Sequence, residues 1–324
     1  MQGGGIATEI RANCYLCGGE GAVLYRDLVD RLFGAPGKWS FKKCANLDCG
    51  LIWLDPMPTV DDIGKAYKYY YTHDQSKNTR WTPLARLFRT IFHKLIITLL
   101  RMRVERRQYK RMYLDQVPVG RLLEVGCGSG KRLARMKALG WDVMGQEIDP
   151  VAAQYVREKW AIDVHLGSLE TMTLPQEKYD VIIMSHVIEH VHDPVALLSA
   201  CCNLLRRNGV LVLLTPNAES YGHSKFGEGW RGLEPPRHLH LFTCDTLNQV
   251  SQKAGFSHQR CWTTAVSADG IGQGSQLSPE RDGDDCRLVT SRDVLRGLSF
   301  QISASLMFQK NKSSGEECVL VATK

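Results

Sequence analysis

A doubly wound α/β domain with a mostly parallel sheet, preceded by a small cysteine-rich module, is the fold class this sequence predicts. Three observations predict it. Between Arg121 and about Phe256, short apolar runs alternate with runs of helical periodicity. Two of the helical runs open on Asp-Pro, at Asp149–Pro150 and Asp193–Pro194, with Asp as the cap and Pro in the first turn. Two cysteine pairs, Cys14 with Cys17 and Cys44 with Cys49, stand in a turn-rich stretch near the start.

Taken in order, "RLLEVG" reads as an apolar strand running into the glycine turn "CGSG". "KRLARMKALG" follows as a helix, with Leu133, Met136 and Leu139 on one face and Gly140 as its stop. "WDVMGQEI" is the next strand and "DPVAAQYVREKW" the next helix; "DVHLGSLE" and the buried strand "YDVIIMS" come after them. "DPVALLSACCNLLRRNG" is expected to stay helical to Gly209, "VLVLLTPN" to form a strand and "ECVLVATK" the final one. "SADGIGQGSQLSPERDGDD" is expected to be a flexible excursion. Parallel strands flanked by helices bind ligands at their carboxyl ends, and several polar motifs of this chain fall there.

The 44% hydrophobic and 23% charged content is ordinary for a soluble globular protein, and a net charge of +7 is mild. Eleven cysteines, with Met1 followed by a polar Gly-rich stretch, favour a reducing cytoplasm and free or metal-bound thiols. The expected organisation is a zinc-ribbon-like module at 10–60, a helical basic linker or cap at 61–115, and the α/β domain at 116–324. Ten Lys/Arg against one acid, Glu105, lie between Arg80 and Arg111. The apolar run Leu95–Leu100 is too short to span a bilayer. It favours a cap over the substrate site or a peripheral membrane-surface contact, and argues against nucleic acid as partner.

In "EVGCGSGK", Gly126, Gly128 and Gly130 lie between strand and helix. Position 131 is Lys, so the G-x-G-x-x-G dinucleotide spacing fails, and a phosphate-cradling P-loop is absent. The pattern E-x-G-x-G-x-G, with the acid Glu147 ending the second strand, resembles the first motif of class I S-adenosylmethionine-dependent methyltransferases. The resemblance runs from about Leu114 to Phe256 and continues in "QEID", "YDVIIMSHVIEHVHDP" and "LLRRNGVLVLLTPN". It implies a Rossmann-like, seven-stranded sheet and a donor site made by Glu124, Gly126, Cys127, Gly128, Gly130, Glu147, Ile148, Ser168, Leu169 and His186. Glu124 would then fix the methionine end and Glu147 the ribose. Ser168 stands where the family often has Asp.

The stretch "SHVIEHVHDP" puts Ser185 and His186 just past the fourth strand, and a helical turn brings Glu189 and His190 to the same side as His186. His192 and Asp193 read as a solvated group and a helix cap. Downstream, "GWRGLEPPRHLHLFT" supplies Trp230, Arg231 and Arg237 as acceptor contacts, the arginines clamping an anionic group. In "RHLHL", His238 and His240 share a face if the run is extended. A hydroxyl acceptor needs a base, and an imidazole suits that work; His238, His186 and His240 are assigned it in that order. The small-RNA 2′-O-methyltransferases carry a similar Glu-x-x-Glu-His motif with a later His completing a magnesium site. That likeness implies a second, catalytic divalent metal on Glu189, His190 and His238. With His186 where that family has its first Glu, the ligand set suits Zn, Mn or Fe better than Mg, and an unligated base is the preferred reading.

The four paired cysteines suit a closed, tetrahedral structural zinc site. The segment "CGLIWLDPMP" resembles a bacterial group that joins such a module to a methyltransferase; sugar C-methyltransferases are a more distant likeness. The other seven cysteines, among them Cys127, Cys201 and Cys202, read as packing residues. The expected function is methyl transfer from S-adenosylmethionine to oxygen of a small molecule, a sugar or a lipid-linked glycan intermediate. The alternatives are a metal-assisted RNA 2′-O-methyltransferase, a sugar C-methyltransferase and a non-catalytic binding module. Acceptor identity and oligomeric state stay open.

Overall fold

Short strands and tight turns open the chain, as the cysteine-bearing stretch predicts. The computed structural model describes residues 5–67, 92, 95–169, 172, 178–275 and 291–324. Two compact units account for them, each assembled from separate stretches of sequence. The first takes Met1–Arg107, Pro216–Thr243 and Thr263–Glu317; the second takes Gln108–Thr215, Cys244–Trp262 and Cys318–Lys324. The expected boundaries at 60/61 and 115/116 are contiguous, and this division is not.

In the first unit β1 (Thr8–Glu9) pairs antiparallel with β5 (Met57–Pro58). A four-stranded sheet has the order β11-β4-β3-β2, where β2 is Gly21–Leu28, β3 Trp39–Cys44, β4 Ile52–Leu54 and β11 His240–Leu241. Strand β11 joins antiparallel, His240 opposite Trp53, so the sheet is completed by residues far down the chain. Its core holds Trp39, Phe41, Ile52 and Leu54 together with Trp230, Leu233, Leu239 and Leu241. Two later helices also belong here, α7 (Ala268–Gly274) and α8 (Ser291–Lys310). The expected excursion therefore begins as a helix, because Ala268 buries fully against Phe300 and Ala304; its later part, 276–285, lies outside the described residues.

The basic segment is not one helix. Residues 95–99 are helical, and the chain then breaks at Leu100–Met102, with Arg101 in the left-handed region at φ 56°. It resumes as α1 (Arg103–Lys110). Met102 points inward, accepting weak hydrogen bonds at sulfur from Gln301 and Ser305, which turns the register of the two helical pieces. Leu95, Leu99 and Val104 are exposed beside it. The rest of the segment, 68–91 and 93–94, lies outside the described residues. Among the described residues, no helix is long and apolar enough to cross a membrane.

The second unit carries the seven-stranded sheet, in the order β12-β13-β10-β9-β6-β7-β8. Here β6 is Arg121–Val125, β7 Asp142–Glu147, β8 Val164–Leu166, β9 Tyr179–Ser185, β10 Leu205–Pro216, β12 His258–Thr264 and β13 Glu317–Thr323. The pairs β6–β7, β7–β8, β6–β9 and β9–β10 are all parallel. Leu122, Leu123 and the run Val181–Met184 are fully buried, as central strands covered on both faces require. Helices α2 (Lys131–Ala138), α3 (Pro150–Trp160), α4 (Pro194–Leu204) and α6 (Cys244–Lys253) connect the strands, and the short α5 (Tyr221–Phe226) belongs to the first unit. Asp149 caps α3 by accepting from the Val151 and Ala152 amides, and Asp193 caps α4 by accepting from Ala196. Helix α4 stops at Leu204, five residues short of the expected Gly209. Buried Leu205 already pairs with Tyr179 on β9, and the sheet register shifts between Leu205 and Val210, so "RRNG" forms an irregular stretch of strand.

Candidate functional site

Strands β6, β7 and β9 are parallel neighbours, so their carboxyl ends share one edge, and the polar motifs collect there. Gly126, Gly128 and Gly130 all have positive φ. A Cβ on Gly126 would stand 2.5 Å from Val187, and one on Gly130 would meet Val156 and Trp160 within 2.9 Å, so glycine is obligatory on both counts. Glu147 is held in place by the loop itself. Its Oε2 accepts from the Gly128 amide at 2.8 Å, and its Oε1 accepts from the amides of Ile148 at 2.8 Å and Asp149 at 3.1 Å. Glu124 is buried, and burial pushes its carboxyl up against the pull of Arg132, which donates to Oε1 at 2.6 Å. The other oxygen, Oε2, is buried without a hydrogen-bond partner among the described residues, as is Ser185 Oγ at the end of β9. Ile148 is exposed, Ser168 half-buried and Leu169 buried beyond β8. The Cys127 thiol packs into the core cluster, so only its backbone belongs to the loop.

Past β9, His186 takes φ 58° and its amide donates to Leu214 O at 2.9 Å. A non-glycine residue in this region costs about 1–3 kcal/mol and persists only where its surroundings hold it. Glu189 supplies the hold. It is fully buried, lies 3.2 Å from His186 Nδ1 through Oε1, and accepts from Thr215 Oγ1 at 2.8 Å through Oε2. The expected proximity of Glu189 to His186 is thus present. His190 ends the short 3-10 turn Ile188–His190 and is half-buried.

His238, His240, Trp230, Arg231 and Arg237 belong to the first unit. His238 Nδ1 sits 2.7 Å from Gly232 O; a carbonyl only accepts, so Nδ1 carries the proton and Nε2 is the basic nitrogen, 4.0 Å from Glu234. The run around it is not fully extended: Arg237 lies in a turn and the strand begins at His240, whose ring packs against Tyr15 and Phe242. Two expected acceptor contacts are corrected. Arg237 is fully buried and bound by both Asp30 oxygens at 2.8 and 2.9 Å, by Glu234 at 3.1 Å and by Ala66 O. Burial alone would lower its pKa, but Asp30 and Glu234 outweigh it and hold the charge, so the guanidinium ties the unit together and is spent. Trp230 is 2% exposed, its ring stacked on His223 at 4.5 Å, because so large an apolar area stabilises more in the core than at a rim. Arg231 is half-buried at a small, open pocket whose other charged neighbours are Asp30, Arg31, Glu228 and Glu234.

Cys14, Cys17, Cys44 and Cys49 converge on two tight turns, all four sulfurs within 4.8 Å of one another. The Cys14–Cys49 separation is 3.6 Å and the Cys17–Cys44 separation 3.4 Å. Thiolates at about 2.3 Å from a tetrahedral ion stand roughly 3.8 Å apart, so this cluster could hold a metal with small adjustments. Burial raises Cys14, while at Cys17 the Gly19 amide and neighbouring thiols overcome burial and bring the pKa down to about 7.

Sequence reasoning missed Gln146, Arg132 and Thr215. Gln146 accepts from the Gly126 amide at 3.1 Å and donates to Gly167 O at 2.5 Å, stitching the loop to β8. Nothing in a strand ending "GQE" distinguishes this glutamine from a solvated one.

A family profile described as a methyltransferase domain matches residues 96–259, just over half of the chain. The ubiquinone biosynthesis O-methyltransferase of Cereibacter sphaeroides is 34% identical over 146 residues, covering 42% of this chain and 59% of that one. A probable S-adenosylmethionine-dependent methyltransferase of Mycolicibacterium smegmatis is 29% identical over 136 residues, 42% of this chain and 51% of the relative. This chain thus spans less than two thirds of either. A solved S-adenosylmethionine-dependent methyltransferase from Archaeoglobus fulgidus is 20% identical, covers 74% of this chain and 98% of its own, and has a TM-score of 0.46. With its glycine loop, strand-end acids and parallel sheet all inside the matched segment, the chain belongs to the class I methyltransferase family.

Proposed function

We propose that this chain transfers a methyl group from S-adenosylmethionine to a hydroxyl oxygen of a small-molecule, sugar or lipid-linked glycan acceptor. The carrying observation is the strand-end cradle, in which Glu147 is preset by three amides and Glu124 Oε2 and Ser185 Oγ lie buried without partners among the described residues. The three amides take three of the carboxylate's four lone-pair sites and leave one on Oε2, which suits a ribose hydroxyl. Glu124 complements the α-ammonium of the donor's methionine end and the loop amides its carboxylate, and Ser168 and Leu169 border the base. The donor, when bound, supplies a methyl activated by its sulfonium leaving group. The protein's remaining work is to align the acceptor and remove its proton.

His238 is the base in this reading, taking the hydroxyl proton at Nε2, with Nδ1 held by Gly232 O. His186 is the runner-up, its ring oriented by Glu189. The likeness to the ubiquinone biosynthesis O-methyltransferase supports oxygen as the methylated atom. The four cysteines hold a structural zinc ion in the same reading.

Calorimetry tests the donor site. The wild type should bind S-adenosylmethionine and Glu147→Ala should bind it at least about 100-fold more weakly, from the loss of charge-assisted hydrogen bonds. Binding of NAD or ATP in place of the methyl donor would overturn the reading. His238→Ala should lower turnover about 100-fold or more while donor affinity stays within about twofold. A parallel fall in donor affinity would remove His238 from the acceptor side.

A further inference from the structure

Seven cysteines read as packing residues in the sequence, yet three of them meet. Cys244 opens α6, Cys261 lies in β12 and Cys318 in the neighbouring strand β13, all within the second unit. Their three sulfurs lie within 4.8 Å of one another, and Cys244 donates to Cys318 at 3.8 Å. Cys318 is fully buried, while Cys244 and Cys261 are half-buried, so the cluster has a closed inner side and an open outer one. Three thiols contributed by a helix start and two adjacent strands, separated by 17 and 57 residues of sequence, gain nothing as hydrophobes from pointing at a common centre. An ion bound to three thiolates at about 2.3 Å stands inside a triangle with edges of roughly 4.0 Å, close to the spacing observed.

We propose that Cys244, Cys261 and Cys318 form a second metal site that takes a soft, monovalent ion of the copper(I) type in three-coordinate thiolate geometry. Softness follows from the all-sulfur donor set. Three-coordination follows from the membership of the cluster, since among the described residues no further His, Cys, Asp or Glu joins it. Closed structural zinc wants four protein ligands, which the chain provides elsewhere, at Cys14, Cys17, Cys44 and Cys49. Loading releases the thiol protons: three Cys–SH and one copper(I) give one tris-thiolate complex and three protons, with no change of oxidation state. The site is independent of methyl transfer.

The test uses the full chain, loaded with zinc and reduced, and titrated with copper(I) against a competing copper(I) chelator. The expected result is retention of about one copper per chain without zinc release, and slowed alkylation of Cys244 and Cys261 by mass spectrometry. Cys261→Ser, on a half-buried thiol that a folded protein should tolerate, should lose the copper and keep the zinc; Cys318→Ser should do the same. The alkylation arm works on the wild type even if a variant fails to fold. Equal alkylation with and without copper, copper uptake only with loss of zinc, or equal uptake by Cys261→Ser would each overturn the proposal.

Discussion

Glu147 and Glu316 are both buried carboxyls, and their surroundings make them opposites. Glu147 accepts three amides and has no oxygen left without a donor. Glu316 is fully buried, accepts from the Gly222 amide at 2.9 Å, and has its Oε2 without a partner among the described residues. Burial lifts its pKa from an ordinary 4.5 to about 8. A carboxyl that binds its proton more tightly when folded contributes stability below its unfolded pKa, and that contribution is lost as pH rises from 4.5 towards about 8. Glu316→Gln keeps the neutral shape and removes the titration. Urea midpoints should therefore fall for the wild type between about pH 5 and pH 8.5 and stay flatter for the variant, which should be the more stable at the alkaline end. Parallel profiles would show that Glu316 is ionised in the folded chain. No feature of "SSGEEC" marks Glu316 as the acid that takes the Gly222 amide; only the chain that returns over it from Tyr221 onward does so.

Helices and strands were legible where a local rule sufficed. The Asp-Pro caps of α3 and α4, the glycine turn after β6 and the apolar runs of β6 and β9 follow from neighbours within a few residues. The misreadings share a cause, which is a partner distant in sequence. Helix α4 ends early because Leu205 pairs with Tyr179, β11 exists because Trp53 and Ile52 wait for it, and Arg237 is buried because Asp30 lies 207 positions away. The site splits the same way: the glycine loop and Glu147 were readable, Gln146 and Thr215 were not. The loop also gives the sharpest test at this scale. In Gly130→Ala the new methyl needs a left-handed backbone and overlaps Val156 and Trp160, so the fold should lose roughly 2–4 kcal/mol by denaturant titration. A loss under about 1 kcal/mol would mean that α2 and α3 yield more easily than their packing implies.

For the whole chain, neither the unit with the four-cysteine cluster nor the unit with the seven-stranded sheet is one continuous stretch of sequence. The peptide leaves one unit for the other after Arg107, Thr215, Thr243, Trp262 and Glu317. If the four-cysteine cluster carries zinc, a strong chelator should lower the melting temperature and broaden the transition, and added zinc should restore both; an unchanged melt would assign those thiols to packing alone. The crossings have a further outcome for anyone dividing the molecule. A cut near residue 60 discards β1 to β5 yet leaves behind the strand and the turns around Trp230 and Leu233 that pack against them, with His240 and Leu239 facing a missing neighbour at Trp53 and Leu54. Neither a nicking protease nor a single genetic crossover can hand over either half intact, so the two are inherited, synthesised and degraded as one object.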